Sequence, residues 1–287
     1  APLPAQAAAR QEGAAEITVI SRSGPDNYEN LGRHADAQVL VNTTPVGMYP
    51  KNGEQPVDLA VFPALEGVLD VIYNPRRTAL LLQAEERGIP CSDGLPMLVA
   101  QAFAAEERFF GKAIPAGENE RILAQLRREM TNIVLIGMPG SGKTTVGEAL
   151  ARLTGREAVD LDQMIAADAG CSIPEIFAQE GEAGFRAREA AAAEEAGKRT
   201  GVILLTGGGI VKTAANYGAL HQNGRIYQLV RDLSLLPTGG RGLSPGAGPG
   251  GLWRERAPLY ARFRDAVIDN NGTVEDTAAA IWRDFCA

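Results

Sequence analysis

The stretch Ile133–Leu150, IVLIGMPGSGKTTVGEAL, leaves a chain few folds to choose from. An apolar run feeds Gly137-Met-Pro-Gly-Ser-Gly142-Lys143-Thr144, which matches G-x-x-x-x-G-K-[ST] at every fixed position. A helix-forming run, TTVGEALARL, follows it. Strand, loop and helix in that order predict an α/β layer in which the loop wraps a phosphate. Glycines let the backbone turn tightly so that several N–H groups point at one anion. The helix N-terminus adds positive potential at the same spot. In such a loop Lys143 reaches the outer phosphates and the Thr144 hydroxyl can ligate Mg2+.

Parallel strands and helices are predicted on both sides of this loop. The front of the chain contributes EITVISR, AQVLVNTTP and GVLDVIY as buried strands, being β-branched and bounded by Gly, Pro or Asn. TALLLQAEERG and LPMLVAQAFAAEERFFG carry apolar residues at helical spacing, and each stops at Gly. The polar stretch GKAIPAGENERILAQLRREMTN then separates two halves. Three regions are expected: an α/β domain over 1–115, a linker helix over 116–131 and the phosphate-loop domain over 132–287. Strands recur in the second half at GVILLT and RIYQLV. The Gly/Pro-dense segment Pro237–Gly251 is either a linker or a mobile loop over a site.

Composition excludes several classes. With 45% hydrophobic and 22% charged residues the chain should fold as a globular protein. A net charge of -7 argues against a nucleic-acid partner, which needs a basic face. No apolar run approaches the roughly 18 residues of a membrane helix, so no membrane partner is expected. Cys91, Cys171 and Cys286 lie far apart with no C-x-x-C, which points to free thiols and a cytoplasmic location. The chain starts at Ala1, as a processed chain or a fragment would. A monomer is expected.

Further polar motifs follow the loop. Asp160-Leu-Asp162 falls where a second strand should end, so its carboxylates either share a face toward metal and substrate or cap the next helix. Arg186 and Glu189, in GEAGFRAREA, are three apart on a predicted helix. They either pair on a solvated face or present Arg186 to a ligand carboxylate, which a guanidinium grips bidentately. Gly207-Gly208-Gly209 ends the strand GVILLT, either as a plain loop or as backbone closely approaching a ligand beyond the sheet's carboxyl edge. Arg241 lies in the Gly/Pro-rich segment and Arg256 just after it.

Taken in order, GMPGSGKTT, DLD, GFRARE, TGGG and RAPLY resemble the shikimate kinase family over residues 132–287. The resemblance implies Mg2+-assisted transfer of the ATP γ-phosphoryl group to the 3-hydroxyl of shikimate. It implies that Gly140, Ser141, Gly142, Lys143, Thr144 and Thr145 cradle ATP, with Thr144 on the metal and Asp160 behind it. Asp162, Arg186, Gly208 and Arg256 would hold shikimate, with Lys143, Asp162 and Arg256 acting on the reacting groups. Arg241 stands where the family has a lid arginine that meets the phosphates. It is followed by Gly242 rather than the family's proline, and the family's earlier lid arginine finds only Pro237. Another small-metabolite kinase, such as a gluconate kinase, and a non-catalytic ATP-binding module are the alternatives.

The front half resembles the cofactor domain of shikimate dehydrogenase through VISRS, VNTTPVGMYP, DVIYNPRRTALL and DGLPMLVAQA. That likeness implies an incomplete Rossmann-type domain in which Arg22 would meet the NADP 2′-phosphate, and Tyr73 and Gln101 would border the substrate and nicotinamide pockets. No G-x-G-x-x-G turn precedes EITVISR, and the family's substrate domain with its catalytic Lys and Asp has no counterpart in these residues. NADP binding and dehydrogenase turnover are therefore not expected.

Overall fold

A computed structural model describes residues 2–236 and 249–287. Its contacts separate two compact units, Ala1–Ala124 and Gln125–Ala287. The division falls inside one charged helix, Glu118–Met130.

The first unit opens with helix α1 (Pro2–Gln11) and holds a parallel sheet of β1 (Val39–Asn42), β2 (Gly67–Asp70) and β3 (Cys91–Ser92), paired in that order. Helices α2 (Ala79–Glu86) and α3 (Leu95–Phe110) follow β2 and β3. Leu80, Leu81 and Ala84 of α2 pack with Leu59, Phe62, Leu65 and Val68 in its core. At the carboxyl end of β2, buried Asp70 accepts from Asn42 Nδ2 (3.1 Å), Thr78 Oγ1 (2.8 Å) and the Ile72 N–H (3.0 Å). Burial pushes its carboxyl above the usual range against these bonds. One expected strand is missing. Residues 16–22 form no ladder, and Val19 is 46% exposed. β1 is the sheet edge on that side, so β propensity alone gives this segment no partner for its backbone groups.

The second unit takes α4 (Glu118–Met130) into β4 (Asn132–Gly137), then α5 (Lys143–Thr154), β5 (Ala158–Asp160), α6 (Leu161–Ala169) and α7 (Ile173–Gly197). β6 (Ile203–Leu205), α8 (Ala215–His221), β7 (Gly224–Val230), α9 (Pro249–Phe263), β8 (Ala266–Asp269) and α10 (Val274–Cys286) complete it. The sheet runs β5-β6-β4-β7-β8 with every pairing parallel. All six residues of β4 are buried because helices cover both faces, which is why its sequence reads as continuous apolar rather than alternating. Ile133 and Leu135 join Val146, Leu150 and Ile281 on one face. Val134 and Ile136 join Ala193, Leu220 and Tyr260 on the other. β4 lies between two later strands, so the strand order reverses at its carboxyl end, where open α/β sheets form ligand crevices. Among the described residues no helix is long and apolar enough to cross a membrane.

Close backbone approach fixes one helix of the second unit. A Cβ on Gly197, at the end of α7, would stand 1.9 Å from the Ala219 carbonyl oxygen of α8. Relief of that clash outweighs the helix propensity an alanine gains. Gly197→Ala should therefore cost about 1–3 kcal/mol. Urea unfolding followed by tryptophan fluorescence checks this, since Trp253 and Trp282 both lie in the second unit.

Candidate active site

The loop after β4 is built by conformations that side chains rarely adopt. Gly137 has φ 150°, and a Cβ there would meet the Leu229 carbonyl oxygen at 2.6 Å and Ser141 Oγ at 2.8 Å. Lys143 opens α5 and is only 9% exposed, its Nζ donating to the carbonyls of Gly137 (2.9 Å) and Met138 (3.0 Å). Desolvation holds its ammonium down to about 8, opposed by the carboxylates of Asp162 and Asp160 and reinforced by Arg256. Ser141 Oγ is buried without a hydrogen-bond partner. A buried ammonium, a buried hydroxyl and a helix N-terminus fit a polyphosphate. Gly140 and Gly142 also take left-handed conformations, and Thr144 and Thr145 are exposed on the first turn of α5.

The donor set beside the loop suits Mg2+. Among the described residues no cluster of three or more His, Cys, Asp and Glu could hold a metal unaided. Mg2+ is ordinarily held by one or two protein oxygens, phosphates and water, and Thr144 and Asp160 offer hard oxygens of that kind.

The two carboxylates of DLD do not share a strand face. β5 ends at Asp160, whose Oδ1 accepts from the N–H groups of Asp162 and Gln163 and so caps α6. Asp162 stands in the first turn of that helix. The orphan donors of a helix start claim the first carboxylate, and the helical turn re-aims the second.

Three glycines draw the remaining groups together. A Cβ on Gly207 would stand 3.1 Å from both Asp162 Oδ1 and Glu189 Oε1. On Gly208 it would reach 2.7 Å from the Pro139 ring of the phosphate loop, and on Gly209 2.5 Å from the Arg186 guanidinium. Close approach, not loop flexibility, accounts for the triplet. Arg186 and Glu189 pair at 2.5 Å on α7, as helical spacing predicts, yet they also face this loop. The pair therefore does not lie on a solvated face: Glu189 is buried and Arg186 is 19% exposed. Glu189 is 1% exposed, and burial pushes its carboxyl upward against the pull of Arg186. Arg186 Nε and Glu189 Oε1 are buried with no hydrogen-bond partner.

Arg256 is buried on α9 and donates from Nη1 to the Gly208 carbonyl at 3.0 Å. The Tyr260 hydroxyl donates to the same oxygen at 2.5 Å. Sequence reasoning passed over Tyr260, although its i,i+4 spacing from Arg256 places both on one helix face. Arg241, with Pro237 and Gly242, lies outside the described residues. In the first unit Tyr73 lines a cavity of about 360 Å3 with Thr43, Thr44, Pro45, Met48 and Tyr49. Gln101 lies elsewhere, beside Ala104, Arg108 and Phe109.

A phosphate loop at the switch point of a parallel sheet, with two arginines and two carboxylates gathered one loop away, is the arrangement of a P-loop phosphotransferase. Comparison with known proteins narrows the class. The family model for shikimate kinase matches residues 139–238. A shikimate kinase of Bordetella avium (strain 197N) is 40% identical over 179 residues, covering 59% of this chain and 84% of that protein. One from Synechococcus sp. (strain RCC307) is 42% identical over 146 residues, covering 47% of this chain and 74% of that protein. The structure of shikimate kinase from Acinetobacter baumannii in complex with shikimate superposes with a TM-score of 0.51 at 36% identity, covering 56% of this chain and 95% of that one. The chain belongs to the shikimate kinase family.

A polyphosphate seated against Lys143 would couple its binding to proton uptake. Desolvation brings the Lys143 ammonium down to about 8, and polyphosphate beside it would favour the charged form. ATP should therefore take up roughly 0.7 proton on binding at pH 8.5, and affinity should fall as pH rises above 8. Calorimetry in two buffers of different ionisation enthalpy measures that uptake, which Lys143→Met should remove.

Proposed function

We propose that this chain transfers the γ-phosphoryl group of ATP to the 3-hydroxyl of shikimate, releasing ADP and shikimate 3-phosphate. The observation that carries this reading is the meeting of Asp162, Arg186 and Arg256 at Gly207–Gly209, a loop that touches Pro139 of the phosphate loop. The family relatives and the shikimate-bound neighbour support the choice of acceptor.

In this reading Gly140 to Thr145 hold the triphosphate, and Thr144, with Asp160 behind it, holds Mg2+. The metal neutralises charge on the β- and γ-phosphates when bound. Arg186 grips the shikimate carboxylate through its two nitrogens, and Glu189 fixes the guanidinium from behind. Gly208 gives the ring a surface without a side chain. Asp162 orients the 3-hydroxyl and accepts its proton as that oxygen bonds to phosphorus and the bond to the ADP oxygen breaks. Lys143 and Arg256 stabilise charge on the transferring group. Arg241 is assigned to the lid by resemblance alone.

For the first unit, we infer a Rossmann-type fold like that of a shikimate dehydrogenase cofactor domain. Its three-stranded parallel sheet and the motifs at Asn42–Tyr49 and Asp70–Leu81 support this. Among the described residues of this unit no Gly-rich turn follows a strand, and NADPH titration of this chain by fluorescence should give no saturable binding.

The kinase reading is tested by coupling ADP release to NADH oxidation. Shikimate should stimulate turnover where gluconate does not. Asp162→Asn should lower kcat by about 10²–10⁴ while ATP still binds. Arg186→Lys should raise the shikimate KM at least tenfold, because an ammonium cannot match the bidentate grip. ATP binding without any shikimate-dependent ADP would instead establish a non-catalytic module.

A further inference from the structure

The turn after β8 reaches the phosphate loop with a side chain that the assigned site does not include. Asn270 is 5% exposed, and its Nδ2 donates to the Ser141 carbonyl at 2.7 Å. Its backbone N–H donates to the Val230 carbonyl at 2.8 Å, which anchors the turn to β7. Thr277, 3% exposed on α10, donates its hydroxyl to Asn270 Oδ1 at 2.8 Å. That bond orients the amide: with the oxygen held by Thr277, the nitrogen faces Ser141. The contact is close enough to require glycine next door. Gly142 has φ 90°, and a Cβ there would stand 2.5 Å from Asn270 Nδ2.

In a planar trans peptide the C=O and the following N–H point in opposite directions. The bond that draws the Ser141 carbonyl toward Asn270 therefore turns the Gly142 N–H away from it. We infer that Asn270 is a positioning residue for nucleotide binding, holding the Ser141–Gly142 peptide so that the Gly142 N–H faces the polyphosphate. The inference rests on the ATP-binding reading above. It adds that grip strength is set from α10 through the relay Thr277 to Asn270 to Ser141. Nothing in this relay touches the Gly207–Gly209 loop in the bonds described, so the acceptor side should be insensitive to it.

ATP affinity, measured directly by calorimetry without acceptor, tests the assignment. Asn270→Ala removes the donor and should weaken ATP binding about tenfold, the usual scale for one lost hydrogen bond. Asn270→Asp keeps the shape but sets a carboxylate against a carbonyl, and should weaken it at least as much. Thr277→Val, which frees the amide to turn, should weaken it about threefold and serves if the Asn270 variants fold poorly. The shikimate KM should stay within about twofold throughout. A general loosening of the domain would instead raise both KM values together, and that result overturns the assignment. Wild-type ATP affinity in Asn270→Asp or in Thr277→Val overturns it as well. Failure of the unaltered protein to bind ATP would be a different outcome, one that removes the functional reading itself.

Discussion

The second unit depends on two backbones meeting at Gly208 and Pro139, where a Cβ would fall 2.7 Å from the proline ring. The phosphate loop leaves β4 and the glycine loop leaves β6, its parallel neighbour, so register alone brings their ends side by side. Bulk at position 208 would push the loops apart. Arg256 and Tyr260 then converge from α9 on the Gly208 carbonyl, which ties the glycine loop to a third element. Positioning within a fraction of an ångström is what phosphoryl transfer asks of a protein, because the protein contributes geometry and charge more than covalent chemistry.

Much of this was legible in the residues. A motif whose every fixed position serves phosphate geometry identifies itself, and β4 declared its burial on both faces by having no alternation. The Arg186–Glu189 pair followed from helical spacing. What stayed hidden depended on partners distant in sequence. Asp160 and Asp162 look equivalent two apart on a strand, but the start of α6 takes one as its cap. Tyr260 closes RAPLY without a role legible there, and Asn270 lies in no motif, because each acts on a carbonyl that only the folded sheet brings near. Residues 16–22 failed in the opposite sense, having the composition of a strand but no ladder partner among the described residues.

The first unit shows the same dependence on partners from the other side. Its parallel sheet has a buried face filled by α2 and the Leu59–Leu65 turn, while Val39, Val41 and Leu69 remain 57%, 40% and 45% exposed. Parallel sheets are normally covered on both faces. The Asn42–Asp70–Thr78 network at the strand ends nevertheless remains fully bonded and buried. Such a network fixes loop conformation whether or not a ligand is ever bound nearby. A well-formed strand end in this unit therefore needs no retained chemistry to account for it.

Charge in the kinase half resolves an apparent conflict. A chain of net charge -7 must attract two anions to one crevice. Overall charge governs encounter at distances beyond the Debye length, about 8 Å at physiological salt, whereas binding is settled by the groups inside it. Inside that range Lys143 and Arg256 are buried and Arg186 nearly so, which limits their screening by water. Asp162 and Asp160 oppose the desolvation that lowers the Lys143 ammonium, and Arg256 adds to that lowering. The cations are thus held ready by carboxylates rather than by solvent. A phosphate seated there would meet donors already stripped of water, with most of the electrostatic cost of assembling them met in folding.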